Sequence, residues 1–342
     1  PRRSTFFGSD GLQPLRPPPR TTDNTCCGPI QMNDLPCLGV VIVTHGSADV
    51  IGDCLDTLLA STGVSLTVVI VDNASTDDTA QVVTQRSAPP PHTMMWLPTG
   101  RNGGFAAGVN HGLTHLLPDP GLDRFWVLNP DTLVPQGTAA AFATHAAGQP
   151  FAMIGGRVVY ADPPGNVQID GGIVDWRTGQ TRNLNQGAPS DAPPPDPDSV
   201  DFVTGASLVA SRTFISRAGL MPENYFLYYE EVDWAMSARD LPLMHCPTAI
   251  VEHRAGTAIG SQKPGQYASP FSEWFKHRAR MIFVRRHRRA SLYGAFAFTL
   301  AKSLQMMIRR DPRAAEAVLR GGLGLPPPKA VRQRLVAGGV QL

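Results

Sequence analysis

The sequence predicts an α/β fold, with a mostly parallel central sheet flanked by helices. Three observations carry that prediction. Strand-like and helix-like segments alternate from residue 38 to about 150. The strands are unbroken apolar, β-branched runs, as strands covered on both faces are. The links between segments are short, which is the signature of a doubly wound sheet.

The elements follow in order. Residues 1–37 are rich in Pro, Thr, Asn and Gly without periodicity, and read as a flexible N-terminal extension. Arg2-Arg3 is followed by no apolar stretch, so no export signal is read there. Val40-Val41-Ile42-Val43 is a strand buried on both faces. Asp49 to Leu59 carries apolar pairs four residues apart, which fits one helix face. Leu66 to Val71 is a second buried strand, and Ser75 with Asp78 marks a helix start. Met94 to Leu97 is a strand, Phe105 to Leu117 a helix and Arg124 to Leu128 a strand.

Past residue 150 the pattern loosens. Met153 to Tyr160, Val167 to Asp170, Val200 to Ser211 and Ala249 to Val251 read as strands, and Glu230 to Asp240 as a helix. Gln186 to Ser199 is a Pro- and Asp-rich loop, and residues 272–310 are helical and basic. The expected organisation is an extension (1–37), a catalytic domain (38–260, with halves 38–135 and 136–260) and a helical basic region (261–342).

Composition bounds the function. Apolar residues at 42% and charged residues at 17% suit a globular core. Cys26, Cys27, Cys37, Cys54 and Cys246 form no C-x-x-C pair, so neither a zinc site nor a disulfide framework is indicated, and a reducing cytoplasm is expected. No uncharged apolar run reaches the ~18 residues of a membrane span. Arginines crowd after Trp274-Phe275, beside a segment with Leu292, Phe296, Leu300 and Leu304 at helical spacing. That suits an anionic membrane surface or a helix packed with its arginines outward. Few aromatics interleave and no known motif occurs, so nucleic acid is not expected. A homodimer is left open.

Four stretches can carry chemistry. Asp72 ends the second strand, at the edge where open α/β sheets bind ligands; it can accept from a base N–H or ribose hydroxyl, or cap the next helix. Arg101-Asn102-Gly103-Gly104-Phe105 lets backbone approach a phosphate at a helix start, or is an ordinary glycine turn. Asn129-Pro130-Asp131 follows an all-apolar strand and holds one carboxylate at its rim, as a cation site or a turn. Glu230, Glu231 and Asp233 follow Tyr225, Phe226, Tyr228 and Tyr229, an apolar wall able to raise a carboxyl into the range of a general base, or form a solvated, acid-enriched helix start. No G-x-G-x-x-G or P-loop motif occurs, which argues against nicotinamide and P-loop chemistry.

Read in order, these stretches with Val40 to His45, Asn102 to Asn110, Val203 to Ala206 and His253 to Thr257 resemble a family 2 inverting glycosyltransferase of GT-A fold, in the bacterial rhamnosyltransferase-like branch. The resemblance spans roughly residues 38–290. It implies that Thr44 and Asp72 contact the nucleoside. It implies that Asn102, Gly103, Asn110 and Asn129 line the nucleotide-sugar pocket, with Arg278 and Arg280 reaching the diphosphate. It implies a Mn²⁺ or Mg²⁺ site at Asp131 and His253, with Asn129 replacing the first acid of a D-x-D motif. Glu231 is implied as catalytic base and Asp233 as its or the acceptor's orienting partner. Gly205, Ala206 and Trp234 are implied on the acceptor side. The implied donor is dTDP-L-rhamnose, with UDP sugars second. The implied acceptor is a glycan, a lipid-linked sugar or a small molecule; the alternative from another class is a catalytically inactive GT-A module that binds nucleotide or glycan.

Overall fold

The computed structural model describes residues 35–254 and 268–340. The expected extension therefore lies outside the described residues except for its last three, and Cys26, Cys27 and Ala255-Gly256-Thr257 lie outside them too. The first half runs β1 (Cys37–Thr44), α1 (Ala48–Leu59), β2 (Ser65–Asp72), α2 (Thr79–Thr84), β3 (Thr93–Pro98), α3 (Phe105–Leu116) and β4 (Arg124–Leu128). Next come β5 (Thr132–Leu133), α4 (Thr138–Thr144), β6 (Met153–Tyr160), β7 (Val167–Ile169), β8 (Gly172–Asp175) and β9 (Gln180–Asn183). After these come β10 (Ser207–Ser211), α5 (Arg212–Ala218), α6 (Glu230–Ala235) and β11 (Leu243–His253). Helices α7 (Pro270–His287), α8 (Leu292–Ile308), α9 (Pro312–Leu323) and α10 (Lys329–Ala337) follow.

The main sheet has the order β3-β2-β1-β4-β10-β6-β11-β5, with β7 beside β6. Strands β1 to β4 are mutually parallel where they pair. Strand β10 runs antiparallel to both β4 and β6, so the sheet is mixed and the doubly wound pattern stops at β4. Strand alternation sends odd-numbered Val41, Val43, Val69, Val71, Phe125 and Val127 to one face and even-numbered Val40, Ile42, Val68, Ile70, Trp126 and Leu128 to the other. Helix α3 covers the first face and α1 and α4 the second. A Cβ at Gly108 or Gly112 would fall 2.5 or 2.6 Å from Val43 or Val41, so these glycines set how closely α3 sits on the sheet.

Several expected elements change. The strand read over 200–211 is ordered only from Ser207, because Thr204-Gly205-Ala206 is a turn. The helix read over 230–240 ends at Ala235, where Ser237 Oγ bonds back to the Asp233 carbonyl. The last strand begins at Leu243, not Ala249. The basic helical stretch is two helices broken at Arg288, whose φ of −153° leaves the helix. Ala279, Phe283 and Val284 of α7 join the core on the α3 side of the sheet, and the described residues from Leu35 onward form one compact unit. The expected boundary near 260 is thus not a boundary between packing units. Among the described residues, no helix is long and apolar enough to cross a membrane.

Candidate active site

Register builds the site. Thr44 lies opposite Asp72 across β1 and β2, and Ile42 lies opposite Leu128 across β1 and β4. Thr44, Asp72 and Asn129 therefore emerge at one carboxyl edge of the sheet, the usual ligand edge. Antiparallel β10 puts Ser207 opposite Leu128, and the Asn129 N–H donates to the Ala206 carbonyl at 3.0 Å. Strand β11 brings His253 opposite Thr132 on β5. Residues more than 120 apart in sequence thereby meet: His253 Nε2 lies 3.0 Å from Asp131 Oδ1.

The Thr44–Asp72 corner is tightly bonded. Thr44 Oγ1 donates to Asp72 Oδ1 at 3.0 Å, and Ser75 donates to both Asp72 oxygens through its hydroxyl and its N–H. Three donors leave about one of a carboxylate's four lone-pair sites for a ligand. Asn102 Oδ1 accepts from the Gly104 N–H at 3.1 Å, and its amide reaches the Gly338 carbonyl at 3.3 Å. Gly103 lines an open cleft with Asn73, Thr99, Arg101, Ala107 and His111.

The Asp131–His253 pair is suited to a cation. Gln168 Oε1 lies 2.8 Å from His253 Nδ1, which places that ring nitrogen's hydrogen on the amide oxygen. Nε2 then presents an electron pair, and Asn129 Nδ2 stands 3.4 Å from it. An imidazole lone pair and a carboxylate oxygen at 3.0 Å repel unless a proton or metal cation lies between them. Among the described residues no third His, Cys, Asp or Glu joins the pair. The donor set fits a divalent cation such as Mn²⁺ or Mg²⁺, which Asp131 and His253 would hold.

The acidic helix faces the same edge. Glu231 Cβ lies 3.9 Å from where a Gly205 Cβ would stand, and Gly205-Ala206 is the turn bonded to Asn129. Burial pushes the Glu231 carboxyl up to about 7. Its neighbour Glu230 is 3% exposed, its Oε2 has no partner, and burial plus the nearby Glu231 raises it well above the ordinary range. The lead-in is strained: Phe226, Tyr228 and Tyr229 hold φ of 69°, 67° and 71°. Packing on α7 fixes it. The Phe226 ring stacks on Phe275 at 5.2 Å, and Tyr228 donates to Ser272. The Tyr229 hydroxyl donates to the Gly179 carbonyl at 2.7 Å. The Phe226 carbonyl accepts from the Phe105 N–H at 3.0 Å, so α3 and α6 enter the site together.

Five expected residues are placed elsewhere. Asn110 is 5% exposed and spends its amide on the Met221 backbone and Glu223, so it clamps a loop to α3 instead of lining a pocket. Trp234 is fully buried, with Nε1 on the Gly219 carbonyl and its ring against Phe214, so it belongs to the core and not to an acceptor pocket. Arg278 donates to the Asn224 and Tyr225 carbonyls, which holds the turn before α6 and not a diphosphate. Arg280 is buried between α7 and α8, on Ala295 and Thr299. Asp233 is fully buried under Tyr225, Arg286 and His287, so it anchors α6 and cannot touch an acceptor. Gln168, Arg286 and His287 are partners that sequence reasoning missed; each acts across a tertiary contact that no local pattern marks.

Comparison with known proteins bears on the fold and the family resemblance. Residues 39–193 match the family described as glycosyl transferase family 2. The N-acetylglucosaminyl-diphospho-decaprenol L-rhamnosyltransferase of Mycobacterium tuberculosis is 27% identical over 309 residues, covering 81% of this chain and 94% of that protein. The low-salt glycan biosynthesis hexosyltransferase Agl10 of Haloferax volcanii is 24% identical over 64% of this chain and 66% of its own length. Among solved structures, the mannosyltransferase PcManGT from Pyrobaculum calidifontis, in complex with GDP-Man and Mn²⁺, superposes with a TM-score of 0.53 at 16% identity. That match covers 89% of this chain and 79% of the other, and the shared architecture is the GT-A fold. Residues 39–193 thus carry a match to glycosyl transferase family 2, on a GT-A fold, in a chain similar to a rhamnosyltransferase and a hexosyltransferase.

Proposed function

We propose that the protein is a metal-dependent inverting hexosyltransferase that moves L-rhamnose from dTDP-L-rhamnose to a hydroxyl of a lipid-linked glycan. The observation that carries this reading is the convergence of Glu231, with its carboxyl near 7, on the edge that holds the Asp131–His253 pair. The mycobacterial relative supports the sugar and the acceptor class, because its name gives both. A nucleotide sugar and a lipid-linked acceptor would meet at the inner face of the cell membrane.

In this mechanism Thr44 and Asp72 hold the nucleoside, with Asp72 accepting from the pyrimidine N–H. Asn102 and Gly103 admit the sugar diphosphate close to backbone. Gly205 and Ala206 border the acceptor beside Glu231. Glu231 takes the proton of the acceptor hydroxyl as that oxygen bonds to the anomeric carbon; the bond to the diphosphate oxygen breaks and the carbon inverts. A base near 7 is half ionised at neutral pH and still basic enough to take the proton. Asp131 and His253 would hold Mn²⁺ or Mg²⁺, which supplies charge neutralisation for the departing diphosphate.

A donor screen by thermal shift, with and without Mn²⁺, tests this reading. dTDP-L-rhamnose with Mn²⁺ should stabilise the protein most, and Asp131→Ala should remove the Mn²⁺-dependent part. If UDP sugars stabilise it and dTDP sugars do not, the donor assignment is wrong. If Asp131→Ala leaves the metal dependence intact, the Asn129-Pro130-Asp131 segment is only a turn.

A further inference from the structure

Helix α8 presents an uncharged apolar strip to solvent. Tyr293, Phe296, Leu300, Leu304, Met307 and Ile308 are 88%, 39%, 47%, 61%, 54% and 74% exposed. With exposed Ala297 and Ala301 they fall within about 140° of one face, at ~100° per residue. No charged residue lies in that arc. The opposite face is used: Thr299 accepts from Arg280 on α7 and abuts Gly322 on α9, and Ala295 and Met306 are buried.

Arginines bracket the strip. Arg285, Arg288 and Arg289 precede it, and Arg310 and Arg313 follow it, all exposed. The nearby acids are engaged: Asp311 caps α9 at the Ala314 N–H, and Glu316 pairs with Arg320 at 2.9 Å. Soluble monomers seldom leave so long an apolar strip uncovered. Its occupant must be apolar along the middle and anionic at both ends. A second copy fits poorly, since a two-fold pairing of the strip sets arginine cluster against arginine cluster in either orientation. A bilayer with anionic headgroups meets both demands. At 17 residues, about 25 Å, the helix lies in the interface plane and does not span it.

We propose that α8 docks this protein on an anionic phospholipid bilayer, with Tyr293, Phe296, Leu300, Leu304, Met307 and Ile308 in the headgroup–acyl boundary and the flanking arginines on lipid phosphates. Sedimentation of the full chain with phosphatidylglycerol–phosphatidylcholine vesicles tests it. These vesicles carry no sugar acceptor and no donor is added, so the outcome is separate from the proposed rhamnosyl transfer. The chain should bind these vesicles and lose binding at high salt or on pure phosphatidylcholine. Leu304→Asp/Ile308→Asp and Arg288→Ser/Arg289→Ser should each weaken binding by about tenfold or more. All four side chains are exposed, so the circular dichroism and melting of both variants should match the parent; Leu304→Gln/Ile308→Gln is the milder substitute if the acidic pair misfolds. Failure of the full chain to bind, or binding untouched by the variants, overturns the proposal. So does sedimentation equilibrium showing a dimer that Leu304→Asp/Ile308→Asp disperses while vesicles go unbound, because the strip is then a self-association face.

Discussion

At Glu231 burial lifts the carboxyl, and in the proposed mechanism that shift would set the pH dependence of transfer. Turnover should fall as pH drops below about 7, following protonation of one group. Glu231→Gln should cut nucleoside diphosphate release by about 10²–10⁴-fold while donor binding, read by calorimetry, stays near the parent's. Parent-like turnover in that variant would reassign the base. Glu230 has the opposite practical meaning. Its folded-state pKa is raised, so the stability it contributes is full below its ordinary value of 4.5 and is lost as pH rises through the raised value. Glu230→Gln removes that loss. Its melting temperature should exceed the parent's near about pH 8 and match it near about pH 4, in scans at both. A lower value at both would mean that Glu230 makes a favourable contact its unpartnered Oε2 does not reveal.

At the scale of elements, the strained lead-in to α6 and the start of α3 form one joint. Gly104 sits at φ +89°, and a Cβ there would fall 2.5 Å from the Phe226 carbonyl oxygen. Only glycine fits both the backbone and the gap. Gly104→Ala should lower stability by about 2 kcal/mol or more and reduce turnover with it, measured by urea unfolding and donor turnover. Full stability in that variant would mean that Phe226 and α3 are not tightly seated. This joint shows what the sequence carried. The four parallel strands were legible because runs such as Val40 to Val43 are buried on both faces, a local property. The β8–β9 hairpin was not, because Gln180–Asn183 is polar and half exposed. The break at Arg288 was not, because it lies inside an unbroken basic run. Positive φ at three aromatic residues is imposed by α7, which no local reading supplies.

Across the whole molecule the same division holds for the site. Thr44, Asp72 and Asp131 could be placed from sequence because each follows a readable strand, and parallel register carries all three to one edge. Asn110, Trp234 and Arg278 could not, since burial and tertiary partners decide what an amide, an indole or a guanidinium does. Asp233 links the two scales. Its carboxylate accepts from Tyr225 at 2.7 Å, and lies 3.0 Å from Arg286 Nη1 and 2.6 Å from His287 Nε2, both on α7. Through it the C-terminal helical layer holds the short helix that carries Glu231. Asp233→Asn keeps the shape and removes the charge that Arg286 meets in a buried setting. Arg286 is half exposed and can be rehydrated, so the loss should sit near the lower end for a broken buried pair, about 3 kcal/mol. If α7 positions the proposed base, donor affinity should hold, because Thr44, Asp72, Asp131 and His253 lie on other elements, while turnover falls. Calorimetry of donor binding beside steady-state rates separates the two. Equal loss of both, or neither, would show that the helical layer does not set the position of Glu231.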